Sequence, residues 1–79
     1  MSRHDPTLYK EFKAALADCN KMDEKTLMNA CNPYILRVEM DDSYSTKAKL
    51  KIYAEFTYLA NAPARKRKGH VRKLTHLLK

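Results

Sequence analysis

The chain has no tryptophan, one glycine and three prolines in 79 residues. A single glycine excludes a glycine-rich phosphate loop. With so few prolines it also excludes a collagen-like or low-complexity chain. Two cysteines, Cys19 and Cys31, are too few for a secreted disulfide scaffold, and they read as reduced thiols. The stretch Met1-Ser2-Arg3-His4-Asp5-Pro6 carries charge where a signal peptide carries an apolar run. No uncharged stretch approaches the length of a membrane span; residues 56–64, for example, include Thr57, Asn61 and Pro63. These absences point to a cytoplasmic protein, or a nuclear one if the source is eukaryotic.

Metal and enzyme chemistry are equally thin. His4, His70, His76, Cys19 and Cys31 form no CxxC pair and no i, i+4 ligand pair. His70 and His76, six apart, fall on different faces of a helix. No Ser, His and acid grouping stands out. Asp41-Asp42 sits in a turn signal, where Asp serves local hydrogen bonding. The expectation is a non-enzyme with no cofactor and no metal.

What is present is charge, and it is segregated. Hydrophobic residues make 44% of the chain and charged residues 32%, a globular balance with room for one domain, 1–79. Up to Thr46, six basic side chains face eight acidic ones, a net charge of −2. From Lys47 to Lys79, ten basic side chains face Glu55 alone, a net charge of +9. Solubility needs no such segregation, whereas a polyanion partner does. A domain of this size also has a thin core, which leaves room for a partner or a homodimer.

The periodicity reads helix, helix, strand, strand, helix. Asp5-Pro6 suits a helix start. Leu8, Phe12, Ala15, Leu16, Cys19 and Met22 form one apolar stripe, giving a first helix from about Pro6 to Lys21. Asp23 caps a second helix carrying Leu27, Met28 and Cys31, and Asn32-Pro33 is expected to end it. Tyr34, Leu36, Val38 and Met40 alternate with Ile35, Arg37 and Glu39 as a strand does. Asp41-Asp42-Ser43 signals a turn. Ala48, Leu50, Ile52, Ala54, Phe56 and Tyr58 then alternate with Lys47, Lys49, Lys51, Tyr53, Glu55 and Thr57. A helix template also collects Ala48, Ile52, Phe56 and Leu59, but it leaves Leu50, Ala54 and Tyr58 facing water. Asn61-Ala62-Pro63 breaks the pattern, and Gly69 gives the basic connector 64–68 a flexible point. Val71, Leu74, Leu77 and Leu78 make a short C-terminal helix. The expected fold is a small α+β domain, two helices and a C-terminal helix around a β-hairpin, with all-α as the alternative.

Three basic features compete as binding surface. On a strand, Lys47, Lys49 and Lys51 project from one face about 6 to 7 Å apart, close to the phosphate spacing of a nucleic-acid strand. Tyr53 continues that face and Arg37 on the preceding strand shares it. The bland reading is a solvated face whose lysines discourage edge pairing. The second feature is Arg65-Lys66-Arg67-Lys68 with Arg72 and Lys73, a run typical of nucleic-acid patches but also of solvated connectors. The third is the C-terminal helix, which lacks Trp or Phe to anchor it in a bilayer, so a membrane partner is disfavoured. Its bland role is to cover the apolar face of the hairpin. Gly69-His70-Val71-Arg72-Lys73 does not match the start of a double-stranded-RNA-binding helix. The reading is therefore a small nucleic-acid-binding protein, DNA favoured over RNA because no aromatic platform for unstacked bases is visible. The alternative is a protein-binding inhibitor or adaptor docking on an acidic partner protein.

Overall fold

In the computed structural model, which describes residues 6–79, those residues are helical apart from short connections. Four α-helices follow one another among them: α1 Pro6–Ala15, α2 Glu24–Met40, α3 Thr46–Asn61 and α4 Arg67–Leu78. Short 3-10 turns, Cys19–Lys21 and Ala64–Lys66, precede α2 and α4. Among the described residues there is no strand, so the expected β-hairpin is absent and the fold is all-α.

The reason lies in which set of apolar residues the core accepts. In α3 the buried residues are Ile52, Glu55, Phe56 and Leu59, spaced three and four apart. Leu50 and Tyr58, which made the alternation look complete, are 63% and 58% exposed. The run before them, Lys47-Ala48-Lys49-Leu50-Lys51, consists of strong helix formers. Ser45 starts the helix by accepting a hydrogen bond from the Ala48 N–H at 3.1 Å. The same holds for the segment read as the first strand. Leu27, Cys31 and Val38 are buried on one stripe of α2, with Tyr34 and Ile35 half-buried on the same side. The helix therefore runs through Pro33, where it had been expected to stop. Pro33 is exposed and its fixed φ is helical; it removes one hydrogen bond to the preceding turn. Burial of the stripe on both sides of it outweighs that loss. Asp23 caps α2 on the Thr26 N–H at 2.7 Å. That hydrogen bond, given first by the Thr26 backbone, holds the Asp23 carboxyl below the ordinary carboxylate range.

The first helix is shorter than its stripe. It ends at Ala15, and after Leu16 the hydrogen bonds tighten to i→i−3, as in Ala17 N–H to Ala14 O at 3.3 Å. This turns Cys19 into the core and frees the chain to reach α2. The expected cap at Asp5 lies outside the described residues. Asp41 accepts a hydrogen bond from the Ser43 N–H at 2.8 Å, an Asx turn that joins α2 to α3.

The helices pack in a ring in chain order, α1 against α2 and α4, α3 against α2 and α4. Phe12, fully buried, stands at the centre. Its ring meets Tyr34 of α2 at 5.5 Å and 78°, and Phe56 of α3 at 5.6 Å and 81°, both edge-to-face. Tyr44, buried in the α2–α3 loop, closes one end by donating its hydroxyl to the Leu78 carbonyl at 2.5 Å. Both cysteines are buried and unbonded to each other. Burial, with the neighbouring Cys19 adding to it, pushes the Cys31 thiol up to about 11.

Two outcomes follow. Phe12→Ala removes the shared ring of three helices and costs about 3 to 5 kcal/mol in urea unfolding, which for a domain this small brings it close to unfolding. At pH 8 the Cys31 thiolate is scarce, so an aromatic disulfide reagent labels it in the native protein at least about a hundredfold more slowly than in urea. Fast native labelling contradicts the buried placement.

Candidate polyanion interface on helix 4

From Arg65 to Lys79 the chain carries seven basic residues and no acid. Helix α4 turns Val71, Leu74, Thr75 and Leu78 inward, and Leu77 is half-buried. Lys68, Arg72, Lys73 and His76 are left exposed, together with Arg65 and Lys66 just before the helix. They lie on one side because positions three and four apart share a helix face.

Two shallow grooves flank this ridge. On the α1 side a groove of about 400 Å³ has Leu16, Ala17 and Val71 as its floor and Lys13, Lys68, Arg72 and Lys79 along its rim. On the other side a depression of about 510 Å³ is bordered by Arg65, Lys66, Arg72 and Lys73. Arg72 and His76 border both, so they form the crest. Lys51 of α3 stands across a further groove from Lys73 and His76. Lys79 also places its ammonium 5.5 Å from the centroid of Tyr9 on α1.

Glu55, the one acid of the basic half, does not reach the surface. It is 6% exposed, and its carboxylate meets His70 Nδ1 at 2.9 Å and Lys73 Nζ at 3.7 Å. The outer face is left without a carboxylate of its own.

Arg67 stands apart from its neighbours in the run. It is 6% exposed and donates from Nη1 to the carbonyls of Cys19 at 3.0 Å and Met22 at 2.6 Å. Those carbonyls bracket the 3-10 turn after α1, Cys19 being its first residue and Met22 the residue that follows it. Arg67 Nε has no hydrogen-bond partner. Arg67 is a clamp between the start of α4 and the α1–α2 connection, and is withdrawn from any ligand.

The lysine ladder is not on one face. Helical geometry keeps Lys47 and Lys51 together and swings Lys49 away, where its ammonium donates to the Glu39 carbonyl at 2.8 Å. Arg37 pairs with Glu11 of α1 and lies 6.0 Å from the centroid of Tyr34. Tyr53 is half-buried against the core. Of the residues read as a site, the structure brings together Arg65, Lys66, Lys68, Arg72 and Lys73, with Lys51 at the margin. It adds Lys13, His76 and Lys79, which sequence reasoning missed. The α4 residues among them had a signal, the spacing of His76 and Lys79 after Arg72; Lys13 had none.

Gly69 lies in the first turn of α4 within this face. Its φ is not positive, and a Cβ there would meet nothing within 4 Å. Neither backbone conformation nor packing requires a glycine, although glycine inside a helix costs about 1 kcal/mol relative to alanine.

Among the described residues no group of three His, Cys, Asp or Glu side chains could hold a metal ion, and no helix is long and apolar enough to cross a membrane. The chain matches no protein-family model, and the comparisons with curated proteins and solved structures found no match.

Arg67→Met deletes two charge-assisted hydrogen bonds and is expected to lower unfolding free energy by about 2 kcal/mol in urea titration. A neutral substitution there would show that the clamp contributes nothing.

Proposed function

We propose that this protein binds nucleic acid, without catalysis, through the exposed face of α4. One observation carries the reading: a ridge of exposed cations in residues 65–79, which contain no acid, with Glu55, the one acid of the basic half, buried beneath it. Exposed charges of mixed sign cancel within about a Debye length, roughly 8 Å at physiological salt. Here Glu55 offsets Lys73 from below, but no acid of residues 65–79 offsets Lys68 or Arg72, and a chain of phosphates supplies the anions that such a row of cations lacks. Arg65, Lys66, Lys68, Arg72, Lys73 and Lys79 supply the charge, with Lys13 and Lys51 on either side.

The alternative, a module that docks on an acidic protein, has a different observation in its favour. Leu36 and Met40 at the end of α2 are 56% and 82% exposed. They line a groove with Leu8, Arg37, Asp41 and Asp42 that none of the α4 cations borders. That groove gives no account of the charged face, for which nucleic acid remains the better reading.

The test is a salt titration of binding to labelled duplex DNA. The logarithm of affinity falls steeply with the logarithm of salt, and Lys68→Ala or Lys73→Ala reduces the slope by roughly 1 each. Lys49→Ala, whose ammonium is held by the Glu39 carbonyl, leaves the slope unchanged. Absence of binding to DNA and RNA at low salt overturns the proposal.

A further inference from the structure

The face of α4 has an order that simple phosphate attraction does not need. Gly69, Arg72 and His76 follow one another at three and four residues, forming the crest of the ridge. Lys68 lies to one side of the crest, toward Lys13, and Lys73 to the other, toward Lys51. A bare position and an arginine occupy the middle, and lysines occupy the two flanks.

An α-helix with its side chains is about 10 to 12 Å across, and the major groove of B-form DNA is about 12 Å wide. A helix seated there has base edges under its crest and a phosphate strand on each flank. Arginine is the side chain that reads a base edge with two parallel hydrogen bonds, and lysine serves as a point charge for phosphate. Arg72 is exposed and makes no hydrogen bond or ion pair within the described residues, so its fork of donors is available. Gly69, in the first turn, leaves the helix without a side chain at the end that approaches bases most closely in helices docked this way. This placement gives Gly69 a physical reason.

The other nucleic-acid forms fit less well. The major groove of an RNA duplex is deep and narrow and excludes a helix. Single strands are held by aromatic side chains on which bases stack, and residues 65–79 contain no Phe, Tyr or Trp.

We infer that α4 is a groove-reading helix: its crest enters the major groove of duplex DNA, Arg72 contacts base edges, Lys68 and Lys73 contact phosphates of opposite strands, and the bare surface of Gly69 admits the close approach. This rests on the nucleic-acid reading above and goes further, to duplex form and to sequence preference. Arg72 is the specificity residue and guanine, with its two acceptors in the major groove, is the base it fits.

The experiment selects binders from a randomised DNA duplex pool, then measures affinity for the selected duplex, an unrelated duplex, an RNA duplex of the selected sequence and inorganic polyphosphate. The full chain is compared with Arg72→Ala, Lys68→Ala, Gly69→Ala and Gly69→Leu, each checked by thermal melting. The expected result is a selected site with a fixed guanine, bound more tightly than the RNA duplex. Arg72→Ala loses roughly 10- to 100-fold on that site and little on the unrelated duplex. Lys68→Ala weakens both DNA duplexes alike. Gly69→Ala melts at the same or a higher temperature, and Gly69→Leu loses at least tenfold in DNA affinity while remaining folded. That last pair separates occlusion of the ligand from damage to the fold. Equal affinity for DNA, RNA and polyphosphate, with Arg72→Ala no worse than Lys68→Ala and Gly69→Leu unimpaired, overturns the inference and leaves a phosphate-binding surface. Binding to none of the nucleic acids overturns both it and the reading it rests on.

Discussion

The rotation of α4 about its own axis is the constraint on which the rest of the molecule depends. Leu74 and Leu78 are wholly withdrawn from water, between α1 and α3. A helix with a single apolar stripe has one favourable orientation, and burying two leucines fixes it by several kcal/mol, about 1.5 to 3 for each. Arg67 fixes the same helix from its other end by gripping the carbonyls of Cys19 and Met22. Tyr44 holds its last turn at Leu78. Three separate contacts thus agree on which side of α4 faces outward, and the basic face is the consequence of where the apolar residues must go.

That face is unfavourable for the isolated fold. Lys68 and Arg72 stand four apart, and like charges at that spacing destabilise a helix by a few tenths of a kcal/mol per pair. Arg65, Lys66 and Lys68 crowd the positive end of the helix dipole, where acids are favoured and none is present. No side chain caps the helix. Helix stability is therefore supplied by packing against α1 and α3, not by the local sequence. Glu55 shows the same division. It meets Lys73 and the His70 ring from below, and leaves Lys68 and Arg72 without a carboxylate. A chain selected for stability alone would place acids among these cations.

Much of this was legible in the residues, and what was not has an identifiable cause. The apolar stripes of α1 and α4 are one-sided, so their helices show in the spacing of Leu8, Phe12 and Leu16 and of Val71, Leu74 and Leu78. The turn at 41–43 shows in its aspartates, and charge segregation is plain. The middle was misread because α2 and α3 expose apolar residues. Leu36, Met40, Leu50 and Tyr58 fill the positions a strand would bury, so both periods fit, and only the packed structure decides between them. Pro33 misled in the same way, since its usual role as a stop was overridden by burial on either side. Within Arg65–Lys68 nothing distinguishes Arg67 as the buried member, because a run of like residues has no phase until the helix that contains it is placed. Lys13 joins the surface only through the packing of α1 on α4, a contact that spacing along the chain does not encode.

The thin core and the uncompensated face are connected. A domain of 79 residues has little stability to spare. Unrelieved repulsion on α4 therefore weighs more here than it would in a larger protein. A ligand that binds only the folded state adds stability in proportion to the logarithm of its concentration over its dissociation constant. A row of phosphates would do so by supplying the anions the surface lacks, while releasing its own counterions. On the proposed nucleic-acid reading, the repulsion that weakens the free protein is the same charge density that would draw the ligand, so stability and affinity would rise together on binding. Such a coupling would account for a fold with so small a core keeping its cations in one place without distributing acids among them.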